Sequence, residues 1–139
     1  MNRAALLGIV LLAGCAGVEP AAPPYQCLLP GEQRMLVAEL FFGRVIAGRT
    51  PLSDMDWQDF AVGNLTPNFP AGFTVMDGEG QWQNPATGRI SHEPTKIVTI
   101  ATPRAFDLAA RLSAVMDAYK ARYRQQSVGL ITRDSCAAF

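Results

Sequence analysis

This chain of 139 residues is poor in the residue types on which much protein chemistry depends. It has one histidine, three cysteines and 17% charged residues, and its 12 basic side chains balance its 12 acidic ones. The cysteines and the histidine lack the paired spacings of a zinc site. A net charge of zero argues against a nucleic-acid partner, because basic patches bind phosphate backbones. The chain also lacks a phosphate-binding or dinucleotide-binding glycine motif. We therefore predict no metal and no cofactor.

Long hydrophobic runs are also missing, apart from a short one near the start. Residues 4–13 are apolar and follow Arg3, but a transmembrane helix needs about 20 such residues. An ordinary cleaved signal peptide has the same charged start and short apolar run. This run ends in Leu12-Ala13-Gly14 directly before Cys15, which resembles the signal peptide of a bacterial lipoprotein. The resemblance implies that residues 1–14 are removed and that Cys15 carries an anchoring lipid.

The same resemblance predicts a location in the bacterial cell envelope. Residue 16 is alanine and not the aspartate that often retains Gram-negative lipoproteins at the inner membrane. The outer membrane, with the protein facing the periplasm, is therefore favoured. Residues 15–26 contain the lipidated cysteine and a proline-rich segment, which predicts an extended tether. Residues 27–139 are then expected to form a single domain.

Cys27 and Cys136 are the two cysteines that remain once Cys15 is lipidated. An oxidising compartment favours their pairing, and we predict a disulfide between them. A loop of roughly 100 residues would stabilise the fold by up to about 4.7 kcal/mol in the chain-entropy model. The alternative is two free, buried thiols that pack as small hydrophobic side chains.

Hydrophobic periodicity predicts six elements along the domain. Alternation indicates a strand over residues 35–42, and helical spacing after Ser53 indicates a short helix over 54–65. A second strand is expected over 73–83, with a bulge or bend at its two glycines. A third strand follows over 89–101, with a proline interrupting it.

The last two elements complete a recognisable order. Thr102-Pro103 predicts the start of a long helix, and residues 127–132 predict a final strand. The order β-α-β-β-α-β is that of the α+β ferredoxin-like fold, with an antiparallel four-stranded sheet and two helices on one face. In that fold the start of the first strand lies near the end of the fourth, which brings Cys27 towards Cys136. Basic residues near the end of the long helix, among them Arg124, suit the helix dipole or a small basic site.

One carboxylate interrupts an apolar face of the first strand. Glu39 shares this face with Met35, Val37 and Phe41, and in the predicted fold it is the open face of the sheet. A homodimer interface explains such a face. A pocket with Glu39 as general base or polar anchor is the alternative. The interface is the more common case, since carboxylates on open sheets are more often paired or solvated than catalytic.

Two further side chains have both a structural and a functional interpretation. Trp82 lies beside the flexible Gly80, and it either stacks on a ligand or covers the edge of the sheet. His92, the only histidine, has no serine or cysteine nucleophile near it in the sequence. We expect His92 to be an exposed strand residue and not part of a catalytic triad.

Several short motifs occur together over roughly residues 30–139. They are Glu39-Leu40-Phe41-Phe42-Gly43, Trp57-x-x-Phe60, Thr66-Pro67-x-Phe69-Pro70-x-Gly72-x-Thr74-Val75, Gly80-Gln81-Trp82, Glu93-Pro94-Thr95-Lys96, Gln126-Ser127-Val128 and Cys136. This pattern resembles an uncharacterised bacterial family, often secreted or lipid-anchored, that is known only as a domain of unknown function. The resemblance implies no activity, but it makes four residues candidates for a shared binding or catalytic site: Glu39, Trp82, Glu93 and Lys96.

Taken together, these patterns favour a lipid-anchored envelope domain that binds or interacts with a partner over an enzyme. The membrane is one expected partner, through the lipid, and a second copy of the chain is another, through the open sheet face. The alternative is a small enzyme or ligand-binding protein with a pocket on the open face of a dimeric α+β barrel.

Overall fold

The computed structural model describes residues 26–46 and 49–139. The predicted signal peptide, Cys15 and nearly all of the predicted tether lie outside the described residues. The element order is β1 (Gln33–Gly43), α1 (Asp54–Phe60), a π-helical segment (Ala61–Leu65), α2 (Thr66–Asn68), β2 (Thr74–Gln83), β3 (Ile90–Thr102), α3 (Leu108–Tyr123) and β4 (Gly129–Ala137). No helix in these ranges combines the length and apolar character that crossing a membrane requires.

The four strands form one antiparallel sheet in the order β2-β3-β1-β4. This order, with the β-α-β-β-α-β succession, confirms the predicted ferredoxin-like α+β fold. α1, the π-helical segment and α2 follow one another without a break, and Ser53 begins them with a capping box to Asp56. The Ser53 side chain accepts the Asp56 N–H, which satisfies a donor that the first helical turn leaves free.

The core lies between the sheet and the helices. Every second residue of β1 from Leu36 to Phe42 is buried on this side, as expected for a strand with one face against the helices. The centre is a cluster of aromatic rings 4.8–6.3 Å apart, measured between centroids. The rings belong to Phe42, Trp57, Phe60, Tyr119 and Tyr123.

The predicted bulge in the second strand is wrong. β2 pairs residue by residue with β3, with Gly78 opposite Thr95 and Gly80 opposite Glu93. The two glycines instead make room for β3 side chains. A Cβ on Gly78 would lie 2.9 Å from Cδ1 of Ile97, and one on Gly80 would lie 2.7 Å from Oγ1 of Thr95.

Pro94 does not interrupt the third strand. The carbonyl of Pro94 accepts the Arg44 N–H at 2.9 Å, so its backbone polar side faces the end of β1 and not β2. The N–H that proline lacks therefore costs the β2–β3 ladder nothing. Proline is tolerated in a strand at such positions.

The predicted long helix begins later than expected. Thr102 is instead the last residue of β3, where it pairs with Leu36. The residue before a proline favours extended backbone, which prolongs the strand and not the helix. The helix starts at Leu108, where the first buried side chain of α3 reaches the core.

The predicted disulfide joins Cys27 to Cys136, with Cα atoms 5.5 Å apart. β4 is longer than expected, so Cys136 lies within it, opposite Arg34 of β1. The bond therefore ties the segment before β1 to the neighbouring edge strand.

Candidate functional site

The open face of the sheet carries a cleft of about 680 Å³ near the end of β1. Its walls come from all four strands, from the β2–β3 turn and from the connection between α3 and β4. The side chains with the most obvious binding chemistry are Trp82, Arg89, Glu93 and Arg124. A concave surface with a few polar groups on an apolar base is typical of small-molecule sites.

Glycines form the low floor of this cleft. Gly43 of β1, Gly80 of β2 and Gly129 of β4 all line it, so three of the four strands carry no side chain there. A Cβ on Gly43 would lie 2.7 Å from both carboxylate oxygens of Glu93, and one on Gly129 would lie 3.2 Å from Cβ of Phe41. The missing side chain of Gly43 leaves the space in which the Glu93 carboxylate lies.

Glu93 is half-buried, and few protein groups replace the water that its carboxylate has lost. Its Oε2 accepts one backbone hydrogen bond, from the N–H of Val45 at 3.3 Å. None of the ion pairs within residues 26–46 and 49–139 includes Glu93. A charge that is partly withdrawn from water gains most from a hydrogen-bonded partner. Glu93 is therefore suited to accept a hydrogen bond from a ligand.

Trp82 provides the aromatic surface of the cleft. It is 43% exposed and lies opposite Ser91 on the open face of the sheet. The aromatic contacts of the described chain involve other rings and not Trp82. An exposed indole ring of this kind can stack on a planar ligand.

Two arginine residues line the cleft. Arg89 comes from the β2–β3 turn and Arg124 from the residue that ends α3, and both are exposed. Neither takes part in an ion pair with another described residue. The backbone of Arg124 is left-handed, with φ 56°, a conformation that favours glycine at this helix position.

Glu39 lies on the same open face but does not line the cleft. Its carboxylate pairs with the Arg133 guanidinium of β4 through two contacts, at 2.8 Å and 3.3 Å. The hydrogen bond and the positive charge of Arg133 hold the pKa of Glu39 below its ordinary value. A carboxylate paired in this way is a weak general base, so the geometry favours the interpretation of Glu39 as a paired residue of the sheet.

Lys96 lies on the opposite, helix-facing side of the sheet, where it pairs with Phe42 of β1 in register. Its ammonium contacts Asp54 at 2.9 Å and Asp77 at 2.5 Å, and the Arg44 guanidinium also contacts Asp54, at 3.1 Å. Burial lowers the pKa of Lys96, but the two carboxylates outweigh it and the pKa is raised overall. Lys96 therefore holds elements together and does not share a site with Glu93.

The structure thus brings two of the four candidate residues together, Trp82 and Glu93. His92 is exposed, as expected. It lies on the face away from the cleft, because consecutive residues of a strand alternate faces and Glu93 is its neighbour. Arg89 was not found from the sequence. Arg124 was noted only within a basic helix end, since nothing local shows that this end meets the β2–β3 turn.

One group of possible metal ligands occurs in the part of the chain that the structure describes: Cys27, Glu32 and Cys136. The two sulfur atoms of this group are bonded to each other. Thiolates are the form of cysteine that binds metal, so this group does not suit a metal ion.

The fold and the cleft define a small α+β domain of the ferredoxin-like class with a polar recess on its open sheet face. The chain belongs to the family described as "Protein of unknown function (DUF3574)", which matches residues 37–139. No curated protein matches the sequence.

Solved structures share the fold at low sequence identity. A phage SAM lyase in complex with S-methyl-5′-thioadenosine is 13% identical, with a TM-score of 0.60 over 82% of this chain and 95% of that one. The same enzyme in its apo state has a TM-score of 0.58 and 13% identity over 83% and 96% of the two chains. CutA from Synechococcus elongatus has a TM-score of 0.49 and 8% identity over 76% and 80%. At these identities the likeness concerns the fold alone.

Proposed function

We propose that this protein is a small-molecule-binding module of the bacterial cell envelope, with its binding site in the cleft on the open sheet face. The observation that carries this proposal is the recess of about 680 Å³ in which Glu93 lacks an ion-pair partner among the described residues and Trp82 is exposed. Binding is favoured over catalysis because Glu39, the general base of the alternative interpretation, is paired with Arg133.

The envelope location rests on the first fifteen residues. Their charged start, short apolar run and Leu12-Ala13-Gly14-Cys15 ending resemble a lipoprotein signal peptide. We propose that lipid on Cys15 holds the domain at the outer membrane, facing the periplasm, with residues 16–26 as the tether.

Metabolic labelling with a radioactive fatty acid tests the anchor. The full chain expressed in a Gram-negative host should be labelled and found in the membrane fraction. The variant Cys15→Ser should lose both properties, whereas Ala16→Ser should keep them. Equal labelling of the wild type and Cys15→Ser would contradict lipidation at this cysteine.

The two tryptophans give a direct test of the cleft, since Trp57 is 4% exposed and Trp82 is 43% exposed. A Trp57→Phe variant reports on Trp82 alone, and a Trp82→Phe variant reports on Trp57 as the matched control. The first probe is S-methyl-5′-thioadenosine, because a protein of the same fold was solved with it. Saturable quenching of Trp82 emission, without a change at Trp57, is the expected result.

A homodimer through the open face is the second candidate. Met76 and Ile131 lie on this face, on the two edge strands, and are 48% and 51% exposed. Apolar side chains exposed on one surface often mark an interface. Light scattering should then give the mass of a dimer, which Ile131→Asp reduces to that of a monomer. Met55→Asp, at a position 74% exposed on α1, is the control that should leave the mass unchanged.

A further inference from the structure

We propose that the ligand of this cleft is a small zwitterion that carries a planar ring. Its ammonium group contacts Glu93, its carboxylate contacts Arg124, and its ring lies on Trp82. This inference rests on the proposed function, in which the cleft is a binding site, and it adds the chemical class of the ligand.

The ammonium position follows from the surroundings of Glu93. Its cross-strand partner on β2 is Gly80, and on the β1 side its carboxylate lies against Gly43. Both neighbours lack a side chain, so neither offers a charged or polar partner. The Val45 N–H at 3.3 Å supplies one hydrogen bond, although a carboxylate has about four acceptor positions. A charged donor from the ligand would fill the remaining ones.

The carboxylate position follows from Arg124. This residue ends α3 in a left-handed conformation, where glycine is the residue that adopts the backbone without strain. An arginine at such a position is costly, and strained residues concentrate at functional sites. The Arg124 side chain is exposed and lines the cleft. Its guanidinium has the fork of donors that matches a carboxylate.

The charged residues of the cleft favour a ligand that carries both signs of charge. Two arginines, Arg89 and Arg124, line the cleft with one acidic residue, Glu93. A cation would meet repulsion from the two guanidiniums, and an anion would meet repulsion from Glu93. A ligand with both charges can pair with the carboxylate and with a guanidinium. The charges of the cleft then fix the orientation of the bound ligand.

The position of the ring follows from the sheet register. Trp82 and Gly80 occupy the same face of β2, two residues apart, and Gly80 is opposite Glu93. Trp82 and Glu93 are therefore diagonal neighbours, a spacing within reach of long and aromatic side chains. Because Gly80 has no side chain, β2 places nothing between the indole ring and the carboxylate.

Three probes separate the charges of the proposed ligand: L-phenylalanine, phenethylamine and phenylpropionate. Each is titrated against Trp82 emission in the Trp57→Phe protein. L-Phenylalanine should bind at least tenfold more tightly than either singly charged probe. Glu93→Gln should weaken L-phenylalanine and phenethylamine but not phenylpropionate. Arg124→Gly should weaken L-phenylalanine and phenylpropionate but not phenethylamine.

The control variants distinguish recognition from folding. Arg124→Gly places the preferred residue at a left-handed position, so its melting temperature should be equal to or above that of the wild type. Arg122→Ala removes a cation from the same helix end that packs over the Tyr123 ring, and it should leave all three affinities unchanged.

Each remaining outcome decides one of the two proposals. Equal affinity for L-phenylalanine and a singly charged probe would overturn the zwitterion and leave the cleft as a binding site. A response to S-methyl-5′-thioadenosine without any response to the three probes would also overturn the zwitterion and leave the cleft as a binding site. No response to any of the four compounds would overturn the binding function as well.

Discussion

Gly43 is the residue at which the core and the cleft meet. From the core side, the Tyr119 hydroxyl donates a hydrogen bond to the Gly43 carbonyl at 2.9 Å. From the open side, the Glu93 carboxylate lies only 2.7 Å from the position that a Gly43 Cβ would take. A single backbone segment therefore separates the aromatic cluster from the candidate ligand site.

Replacing Gly43 with alanine should impair binding more than folding. The new Cβ would lie 2.7 Å from the Glu93 carboxylate, but this carboxylate is the end of a flexible side chain and can rotate away. We expect a loss of about 1 kcal/mol in urea unfolding and a clear loss of L-phenylalanine affinity. Gly63→Ala is the control: apart from its chain neighbours and the backbone of its own helix, no atom lies within 4 Å of the added Cβ, so the helix should gain about 0.5–1 kcal/mol. Unchanged affinity in Gly43→Ala would refute the role given to Glu93.

Tyr119→Phe tests the other side of the same glycine. Tyr119 is 0% exposed. Removal of its hydroxyl therefore leaves the Gly43 carbonyl without this donor where water does not replace it, at a cost of about 1–3 kcal/mol. Burial also raises the pKa of Tyr119 above its ordinary value of 10.0, so the hydroxyl stays a donor at neutral pH. Tyr123→Phe, which removes a similar bond to the Asp56 carbonyl, should cost less because Tyr123 is 8% exposed. Urea unfolding measures both, and the reverse order would contradict this ranking.

At the scale of elements, a cluster of four charges joins α1 and β2 to β3 and the end of β1. The cations Lys96 and Arg44 have side chains only 8% and 14% exposed, whereas the carboxylates of Asp54 and Asp77 are 72% and 75% exposed. The nearly buried cations therefore need the carboxylates as partners, whereas water can solvate the exposed carboxylates. Removal of the carboxylates should cost more stability than removal of a cation.

The double variant Asp54→Asn with Asp77→Asn should lose more stability than Lys96→Met. The first leaves two nearly buried cations without carboxylate partners, although Arg44 keeps its hydrogen bond to the Leu52 carbonyl. The second leaves two carboxylates that water can solvate. Thermal unfolding of the two variants at neutral pH compares them directly. Equal melting temperatures would show that the cations are not held by these carboxylates.

The same cluster predicts a pH dependence. The hydrogen bond and charge of Lys96 lower the pKa of Asp54 from its ordinary value of 3.8. A lowered pKa in the folded state stabilises the protein above pH 3.8 and loses this effect as the pH falls through the folded value. The difference in melting temperature between wild type and Asp54→Asn should therefore be constant near neutrality and shrink in acid. A difference that grows in acid would contradict the sign.

The elements were predictable because periodicity is a local property, and the errors arose where local signals had two meanings. Thr102-Pro103 fits a helix start and a strand end, and the pairing of Thr102 with Leu36 decided it. Gly78 and Gly80 fit a bulge, but the β3 side chains opposite them explain their presence.

The site was harder to predict, because its parts come from separate segments. Glu93 and Lys96 are three residues apart on β3, so alternation alone places them on opposite faces. The strand register, which the sequence does not show, decides that Glu93 is the one on the open face. The contribution of Arg124 depends on how α3 packs across the sheet. In the sequence Arg124 follows other basic residues that suit a helix dipole, so nothing local marks it as a binding residue.

At the scale of the whole molecule, the disulfide stabilises the fold by closing a long loop of the chain. It joins residues 109 positions apart, so Cys27→Ser with Cys136→Ser should cost about 2–5 kcal/mol in urea unfolding. A thiol assay on the folded Cys15→Ser protein should find no free thiol until the protein is unfolded and reduced. Two reactive thiols in the native protein would contradict the bond.

The bond between Cys27 and Cys136 also makes the domain a covalent ring. Any single break of the backbone between these cysteines leaves both pieces attached to each other through sulfur. The exposed turn at residues 85–89 is the kind of site at which proteases cut. A domain nicked there keeps all its strands on one molecule, so a single cut does not release any strand of the sheet.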